Sequence, residues 1–183
     1  MNQFKVHTKE TAPAESVESL TAAETAFGFI PNLLGILAES PAALNTYLST
    51  NQIFEQSAFS PVERQVVILS VSRVNECAYC VAAHSVIADN AQVPADVVDA
   101  IRKGQVIADD KLEVLRSFTT RVVEKRGWVS EEEVNDFLSA GYTRAQVLDV
   151  IVAVSLKTLS NYVNHIAGTP LDEAFASREW NKQ

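Results

Sequence analysis

One helix signal constrains the fold of this chain more than any other feature of its sequence. Ser60 can cap a helix, Pro61 suits the first helical position, and Glu63 completes a capping box. The helix that follows, residues 62–75, is apolar on nearly all sides. Such a helix is buried in a core or in a contact between subunits, because a surface helix keeps a polar face.

The glycines and the remaining prolines stand where further helices should begin or end. Long segments in which β-branched and polar residues alternate, as in strands, are absent. We therefore predict helices over residues 15–27, from Pro31, from Pro41 through Ile53, from about Cys77 to Asn90, after Pro94, from Asp109 or Asp110 to Gly127, after Ser130, and from Thr143 to Gly168. The predicted fold class is all-α, in a single domain over residues 1–183, and residues 171–183 are expected to be a polar tail.

Composition excludes several classes of function. Of the 183 residues, 47% are hydrophobic, which is enough for one buried core. The net charge of −8 argues against binding to nucleic acid or to an anionic membrane surface, since both require a basic face. No apolar segment has the position and length of a signal peptide or the length of a membrane span. We therefore expect a cytoplasmic protein, a setting in which structural disulfides are rare.

The chain has only two cysteines, Cys77 and Cys80, at the start of a predicted helix, and His84 follows one helical turn after Cys80. At this spacing the two sulfurs can approach disulfide distance, and Cys80 and His84 share one helix face. The helix N-terminus, the partner thiol and a histidine that accepts the thiol proton would each lower a thiol pKa. In a reducing compartment this pattern indicates a redox centre or a metal site.

The cysteine pair has other interpretations besides a redox role. The pair could be inert in the core. Zinc could take Cys77, Cys80 and His84 as ligands, but on one short helix they make a poor tetrahedron, and His7 and His165 are distant in sequence. A thioredoxin-like site needs a βαβ setting, which a helical chain lacks. The redox interpretation is therefore preferred, with no metal and no cofactor.

Residues 60–85, SPVERQVVILSVSRVNECAYCVAAHS, resemble the core of the carboxymuconolactone decarboxylase superfamily. They resemble in particular its alkylhydroperoxidase D-like, peroxidase-related branch, whose motif is a glutamate, then CxxC, then xxxH. The match extends over about residues 25–170. The resemblance implies a compact multi-helix alkylhydroperoxidase D-like fold with CxxC at a helix N-terminus. It also implies an antioxidant thiol-dependent peroxidase that reduces alkyl or hydrogen peroxides through a Cys77–Cys80 disulfide cycle, a peroxiredoxin-type activity.

The resemblance assigns a role to each residue of the motif. Cys80 would attack the peroxide, and Cys77 would be the more exposed, resolving thiol. His84 and an upstream glutamate would relay the proton. The position of that glutamate is Gln65 in this sequence, and glutamine cannot act as a base.

Two glutamates are candidates to replace the missing base. Glu63 lies two residues before Gln65, about 200° around a helix, and Glu76 directly precedes the first cysteine. Either could serve only if the fold aimed it inward, and Glu63 more simply caps its helix. Tyr79 stands where the family prototype has a second histidine, a pattern shared by many relatives.

The implied partners are a peroxide, an unidentified thiol or dithiol electron donor, and further copies of the chain. Family members are commonly trimeric, and helix 62–75 should be hard to bury in a monomer, so we expect a homotrimer or a multiple of trimers. Nucleic acid and membranes are not expected partners. Two other functions stay open: a carboxymuconolactone decarboxylase-like lyase, which needs no cysteine pair, and a disulfide redox-sensing protein that acts on another protein.

Overall fold

The computed structural model describes residues 4–181 and confirms the all-α fold class, with no strand among these residues. The helices are α1 (Ala14–Phe27), α2 (Asn32–Leu37), α3 (Pro41–Glu55), α4 (Pro61–Val74), α5 (Ala78–Asn90), α6 (Ala95–Lys103), α7 (Asp110–Glu124), α8 (Glu131–Ser139) and α9 (Arg144–Ala167), followed by a 3-10 helix (Glu173–Arg178). No single helix in this part of the chain is long and apolar enough to cross a membrane. The one neighbouring pair that reaches such length and composition together, α8 with α9, is bent by 112°.

Local capping signals account for most helix boundaries. In three capping boxes, the N-cap hydroxyl accepts from the N3 backbone N–H while the N3 side chain accepts from the N-cap N–H. These pairs are Ser60 with Glu63, Ser130 with Glu133, and Thr143 with Gln146. The largest difference from the predicted boundaries is at α7, which ends at Glu124, before Gly127; α1 also starts one residue earlier than predicted, and α3 extends two residues beyond Ile53. Arg126 and Gly127 both have positive φ, 54° and 85°, and therefore cannot continue a right-handed helix.

Helix α4 lies at the centre of the fold and packs against α5, α6, α7 and α9. Its residues Val66, Val67, Ile68 and Leu69 are at most 1% exposed within the single chain. The predicted burial of this helix is confirmed. The expectation that a monomer could hardly bury it is wrong, because four helices of the same chain cover its sides.

The last described residues, 171–181, pack against the helices. Phe175 is 8% exposed and Trp180 is 5% exposed. The indole Nε1 of Trp180 donates to the backbone carbonyl of Arg102 at 3.1 Å. The expectation of a polar tail over residues 171–183, whose last two residues lie outside the described part, is therefore wrong. Two aromatic side chains outweigh the polar residues around them, since each buries a large apolar surface.

Helix α9 places a row of polar side chains inside the protein. Lys157, Ser160, Asn161 and Asn164 are spaced at i, i+3, i+4 and i+7, so they share one face of the helix. All four are at most 5% exposed. We call this row the α9 polar face. Burial of so many polar groups is costly unless they have partners. The partners of Lys157 and Asn164 lie on α5 and at its start. Asn161 accepts from Asn75 at the end of α4, and Ser160 donates to backbone carbonyls of α9.

Candidate active site

Cys77 and Cys80 lie at the N-terminus of α5, as the sequence predicts. Cys77 is the N-cap residue, and Cys80 lies in the first turn. Both are free thiols, and their exposed fractions are 0% and 1%. The expectation that Cys77 is the more exposed thiol is therefore wrong. Both cysteines belong to a buried apolar cluster that includes Tyr79 and Phe175. This cluster buries Cys77 as completely as Cys80.

The α9 polar face supplies the partners of the two sulfurs. The Asn164 amide Nδ2 donates to both, at 3.6 Å from Cys77 Sγ and 3.2 Å from Cys80 Sγ. Ser160 Oγ lies 3.9 Å from Cys80 Sγ. The helix α9 follows from the sequence, but this role of its polar residues was not predicted. The regular spacing of polar residues along an otherwise apolar helix was the signal that could have revealed it.

Cys80 is the thiol that ionises. Burial opposes its ionisation, but a hydrogen bond from the Cys77 thiol and the positive charge of Lys157 favour the thiolate. Hydrogen bonds with Ser160 and Asn161 add to this effect, and together they lower the pKa of Cys80 to about 5. The pKa of Cys77 is raised, because Cys77 bonds to Cys80 and is buried beside its charge. At neutral pH the pair therefore holds one thiolate, on Cys80.

Lys157 is the second charged group of the site and was not among the residues predicted from the sequence. The side chain is 1% exposed, and its Nζ lies 3.0 Å from His84 Nε2. Among the described residues no carboxylate forms an ion pair with it. Burial lowers the pKa of Lys157, but the negative charge of Cys80, with smaller contributions from Tyr47 and Cys77, raises it overall. Lys157 and Cys80 therefore form a buried ion pair.

His84 lies between Gln65 and Lys157. Its Nδ1 is 3.3 Å from Gln65 Oε1, and its Nε2 faces the lysine. An ammonium group only donates, so the ring is assigned as the neutral tautomer that carries its proton on Nδ1. Burial and the charge of Lys157 lower the pKa of His84, which agrees with a neutral ring. The expectation that His84 takes the proton of Cys80 directly is corrected: within the described residues, neither ring nitrogen bonds to a sulfur.

The two candidate replacement bases have other positions. Glu63 Oε2 accepts from the Ser60 backbone N–H at 2.8 Å, and its Oε1 lies 3.3 Å from Lys111 Nζ. Glu63 thus caps α4. Glu76 is exposed in the turn before α5, with φ of 56°. The α4 residue that meets His84 is therefore Gln65. Within residues 4–181, no three His, Cys, Asp or Glu side chains are arranged to hold a metal ion.

A cavity of about 680 Å³ leads to the thiolate. Its walls are largely apolar and include Ala23, Phe27, Leu33, Leu34, Leu48 and Phe175. Its polar residues include Gln65, Cys80, His84 and Lys157, whereas Cys77 does not line it. The volume is that of a site for a small organic molecule. A ligand in this cavity reaches Cys80 and not Cys77.

Tyr79 belongs to the wall of this cavity. Its hydroxyl donates to Asp172 Oδ2 at 2.5 Å and accepts from the Leu33 backbone N–H at 3.3 Å. Burial and the Asp172 carboxylate raise the pKa of Tyr79, so the phenol stays neutral. Tyr79 therefore connects α5 to α2 and to the C-terminal segment, and its hydroxyl is directed to Asp172.

Comparisons with known proteins agree with the resemblance seen in the sequence. The profile of the carboxymuconolactone decarboxylase family matches residues 39–118, which include the cysteine pair but end before α9. An uncharacterised peroxidase-related protein from Ralstonia eutropha, an alkylhydroperoxidase AhpD core, has a TM-score of 0.83 and 18% identity, over 94% of this chain and 93% of that one. A peroxidase-related protein from Silicibacter sp. has a TM-score of 0.82 and 17% identity, over 96% and 93%. The debrominase Bmp8, as a cysteine-to-alanine variant in complex with 2,3,4-tribromopyrrole, has a TM-score of 0.79 and 14% identity, over 97% and 96%. No curated protein matches the sequence.

Proposed function

We propose that this chain is a thiol-dependent peroxidase for alkyl or hydrogen peroxides, because residues 39–118 match the carboxymuconolactone decarboxylase family and the chain has the alkylhydroperoxidase D-like fold. The observation that carries the proposal is the position of Cys80 in the wall of an apolar cavity, beside the free thiol of Cys77, whose hydrogen bond helps to lower the pKa of Cys80. A thiolate is the form of cysteine that is oxidised by peroxides, and a neighbouring thiol turns the resulting sulfenic acid into a disulfide.

The reaction needs both thiols and no other redox group. Cys80 Sγ attacks the terminal peroxide oxygen, and the O–O bond breaks to leave a sulfenic acid on Cys80 and an alkoxide or hydroxide that takes up a proton. Cys77 then attacks the Cys80 sulfur, forms the disulfide and releases water. The two thiols are thus oxidised and the peroxide is reduced by the same two electrons. An external thiol or dithiol donor completes the cycle through the cavity, since that is where Cys80 is accessible.

The walls of the cavity favour a peroxide that carries a hydrocarbon group. Phe27, Leu34 and Leu48 offer apolar contacts along the way to Cys80. Hydrogen peroxide cannot use these contacts, whereas an alkyl or aryl hydroperoxide gains from each apolar surface that it removes from water. An organic hydroperoxide is therefore the preferred substrate of this proposal.

Anaerobic thiol counting tests the proposal. One equivalent of cumene hydroperoxide should remove both free thiols of the chain, and peptide mass spectrometry should find Cys77 linked to Cys80, because the chain has no other cysteine. The Cys77→Ala, Cys80→Ala double variant is the control and should consume no peroxide. An unchanged thiol count, or sulfonic acid at both positions without a cross-link, would contradict the proposal.

A second candidate function is reductive dehalogenation of a small aromatic compound. The apolar cavity has room for such a ring beside Cys80, and the debrominase with tribromopyrrole bound has the same fold. The thiolate would take bromine from the ring, the ring carbon would take up a proton, and Cys77 would displace bromide to form the disulfide. Ion chromatography after incubation with 2,3,4-tribromopyrrole distinguishes the two reactions. Release of one bromide ion per disulfide formed would support dehalogenation. If no bromide is released, the peroxidase function is preferred.

The site gives less support to the other two functions that the sequence left open. A lyase reaction does not require a thiolate with a resolving thiol beside it. A lyase would therefore keep its activity in the Cys77→Ala, Cys80→Ala double variant. A redox sensor for another protein would need sulfurs that a protein thiol can reach, whereas Cys77 and Cys80 are at most 1% exposed. Trapping of a mixed disulfide with a protein partner would favour the sensor.

We also propose that the protein forms a homotrimer or a multiple of trimers, with α9 in the contact. Leu148, Ile151, Tyr162 and Ile166 are 42–71% exposed and share one face of α9, opposite Lys157. Light scattering at micromolar concentration should give three times the 20.0 kDa of one chain, or a multiple of that mass. The Ile151→Glu, Ile166→Glu double variant should dissociate. A mass near 20 kDa for the unchanged protein would contradict the assembly.

A further inference from the structure

Lys157 is a buried cation whose charge depends on one anion. The titratable groups that face it are Cys80 and Cys77 at the start of α5, His84 one turn later, and Tyr47 on α3. No carboxylate among the described residues pairs with it. A buried lysine without a counter-charge loses its proton readily. The protonation of Lys157 therefore follows the charge of the Cys80 thiolate.

The proposed peroxidase reaction removes that thiolate. Once Cys80 is a sulfenic acid or part of a disulfide, none of the remaining groups balances the ammonium. Burial raises the pKa of Tyr47, and burial and Lys157 itself lower the pKa of His84, so both are neutral. At the same moment an alkoxide or hydroxide forms in the cavity that Lys157 lines and needs a proton.

Gln65 and His84 fix the position of the ammonium group. Because Gln65 Oε1 faces His84 Nδ1, the lone pair on Nε2 faces Lys157 Nζ at 3.0 Å. A glutamate in place of Gln65 would favour a protonated imidazole, which cannot accept from an ammonium group and repels its charge. The replacement of the family glutamate by Gln65 therefore suits a site in which the lysine, rather than the histidine, carries the proton.

We propose that Lys157 donates the proton that the leaving oxygen of the peroxide takes up, and that His84 and Gln65 are positioning residues for its ammonium group. This proposal rests on the proposed peroxidase function. The protons balance. The ammonium group of Lys157 protonates the alkoxide to give the alcohol, and the thiol proton of Cys77 combines with the hydroxide displaced from the sulfenic acid to give water. The products are the disulfide, a neutral amine, the alcohol and water, so the protein takes no proton from solvent.

A proton count in the unmodified protein tests this directly. Reduced protein reacts with one equivalent of cumene hydroperoxide in weak buffer at neutral pH with a pH indicator, and disulfide is measured in the same sample. If Lys157 donates, proton uptake should be close to zero; if Lys157 stays charged, about one proton is taken up per disulfide, because hydroxide is released. The second result overturns the proposal. Absence of disulfide would instead refute the peroxidase function, so the two failures are distinguishable.

Two substitutions separate the charge of Lys157 from its proton. Lys157→Met should raise the pKa of Cys80 from about 5 toward the ordinary thiol range. The absorbance of the thiolate as a function of pH measures this pKa. Lys157→Arg keeps a positive charge that cannot be given up, so Cys80 should stay ionised while the rate at neutral pH falls by about 10²–10⁴-fold. Circular dichroism checks that each variant is folded. A folded arginine variant with an ionised Cys80 and the full rate would overturn the proposal. If the variants do not fold, proton uptake by the unmodified protein is the deciding measurement.

Discussion

Replacing Cys80 by serine should abolish turnover of peroxide, with a loss of at least about 10³-fold. Cys80 is the thiol with the lowered pKa and the one that lines the cavity, whereas a serine hydroxyl stays protonated beside Lys157. The measurement is consumption of cumene hydroperoxide in the presence of a dithiol donor. Residual activity close to that of the unchanged protein would exclude Cys80 as the attacking group.

The matched variant, Cys77→Ser, should lose only the second step. Serine can still donate a hydrogen bond to the Cys80 sulfur, so most of the stabilisation of the thiolate should remain. Without a donor, one equivalent of peroxide should be reduced and a sulfenic acid should stay at Cys80, where dimedone and peptide mass spectrometry detect it. A sulfenic acid at Cys77 in the Cys80→Ser variant would instead reverse the two roles.

The rate of reaction with an alkyl hydroperoxide should be nearly constant from about pH 8 to pH 6 and fall about tenfold for each pH unit below 5. The pKa of Cys80 is lowered, so the reactive thiolate is present above about 5 and is lost as the pH falls through that value. An ordinary thiol with a pKa of about 8.5 would be only a few per cent ionised at pH 7, which would cost roughly thirtyfold in rate.

A stopped-flow pH profile measures this midpoint, and two serines of α9 provide the comparison. Ser160→Ala removes one of the hydrogen bonds that favour the thiolate and should raise the midpoint. Ser155 is exposed on the same helix, and its hydroxyl donates to the carbonyl of Ile151, so Ser155→Ala should leave the profile unchanged. A midpoint near pH 8.5 in the unchanged protein would contradict an ionised Cys80.

The sequence by itself predicted the features that depend on neighbouring residues. Hydroxyl caps such as Ser60 and glycines such as Gly168 act within one helical turn, so helix boundaries could be found without knowledge of the fold. The helix predicted to begin at about Cys77 likewise placed Cys77 and Cys80 at one helix start. The contact between Gln65 and His84 was anticipated only through the family motif, since it joins two helices.

Only the tertiary structure decided which groups set the chemistry of these thiols. Lys157 and Asn164 lie far along the chain from Cys80, and their meeting depends on how α9 packs against α5. Packing also buried Cys77 as deeply as Cys80, and brought Phe175 from the end of the chain into the cavity wall. Capping follows from contacts within a helical turn, whereas burial and the charge around a thiol are sums over residues that only the folded chain brings together. That is why the sequence predicted a reactive cysteine pair, and the structure identified the lysine and the polar residues of α9 that help to lower the pKa of Cys80.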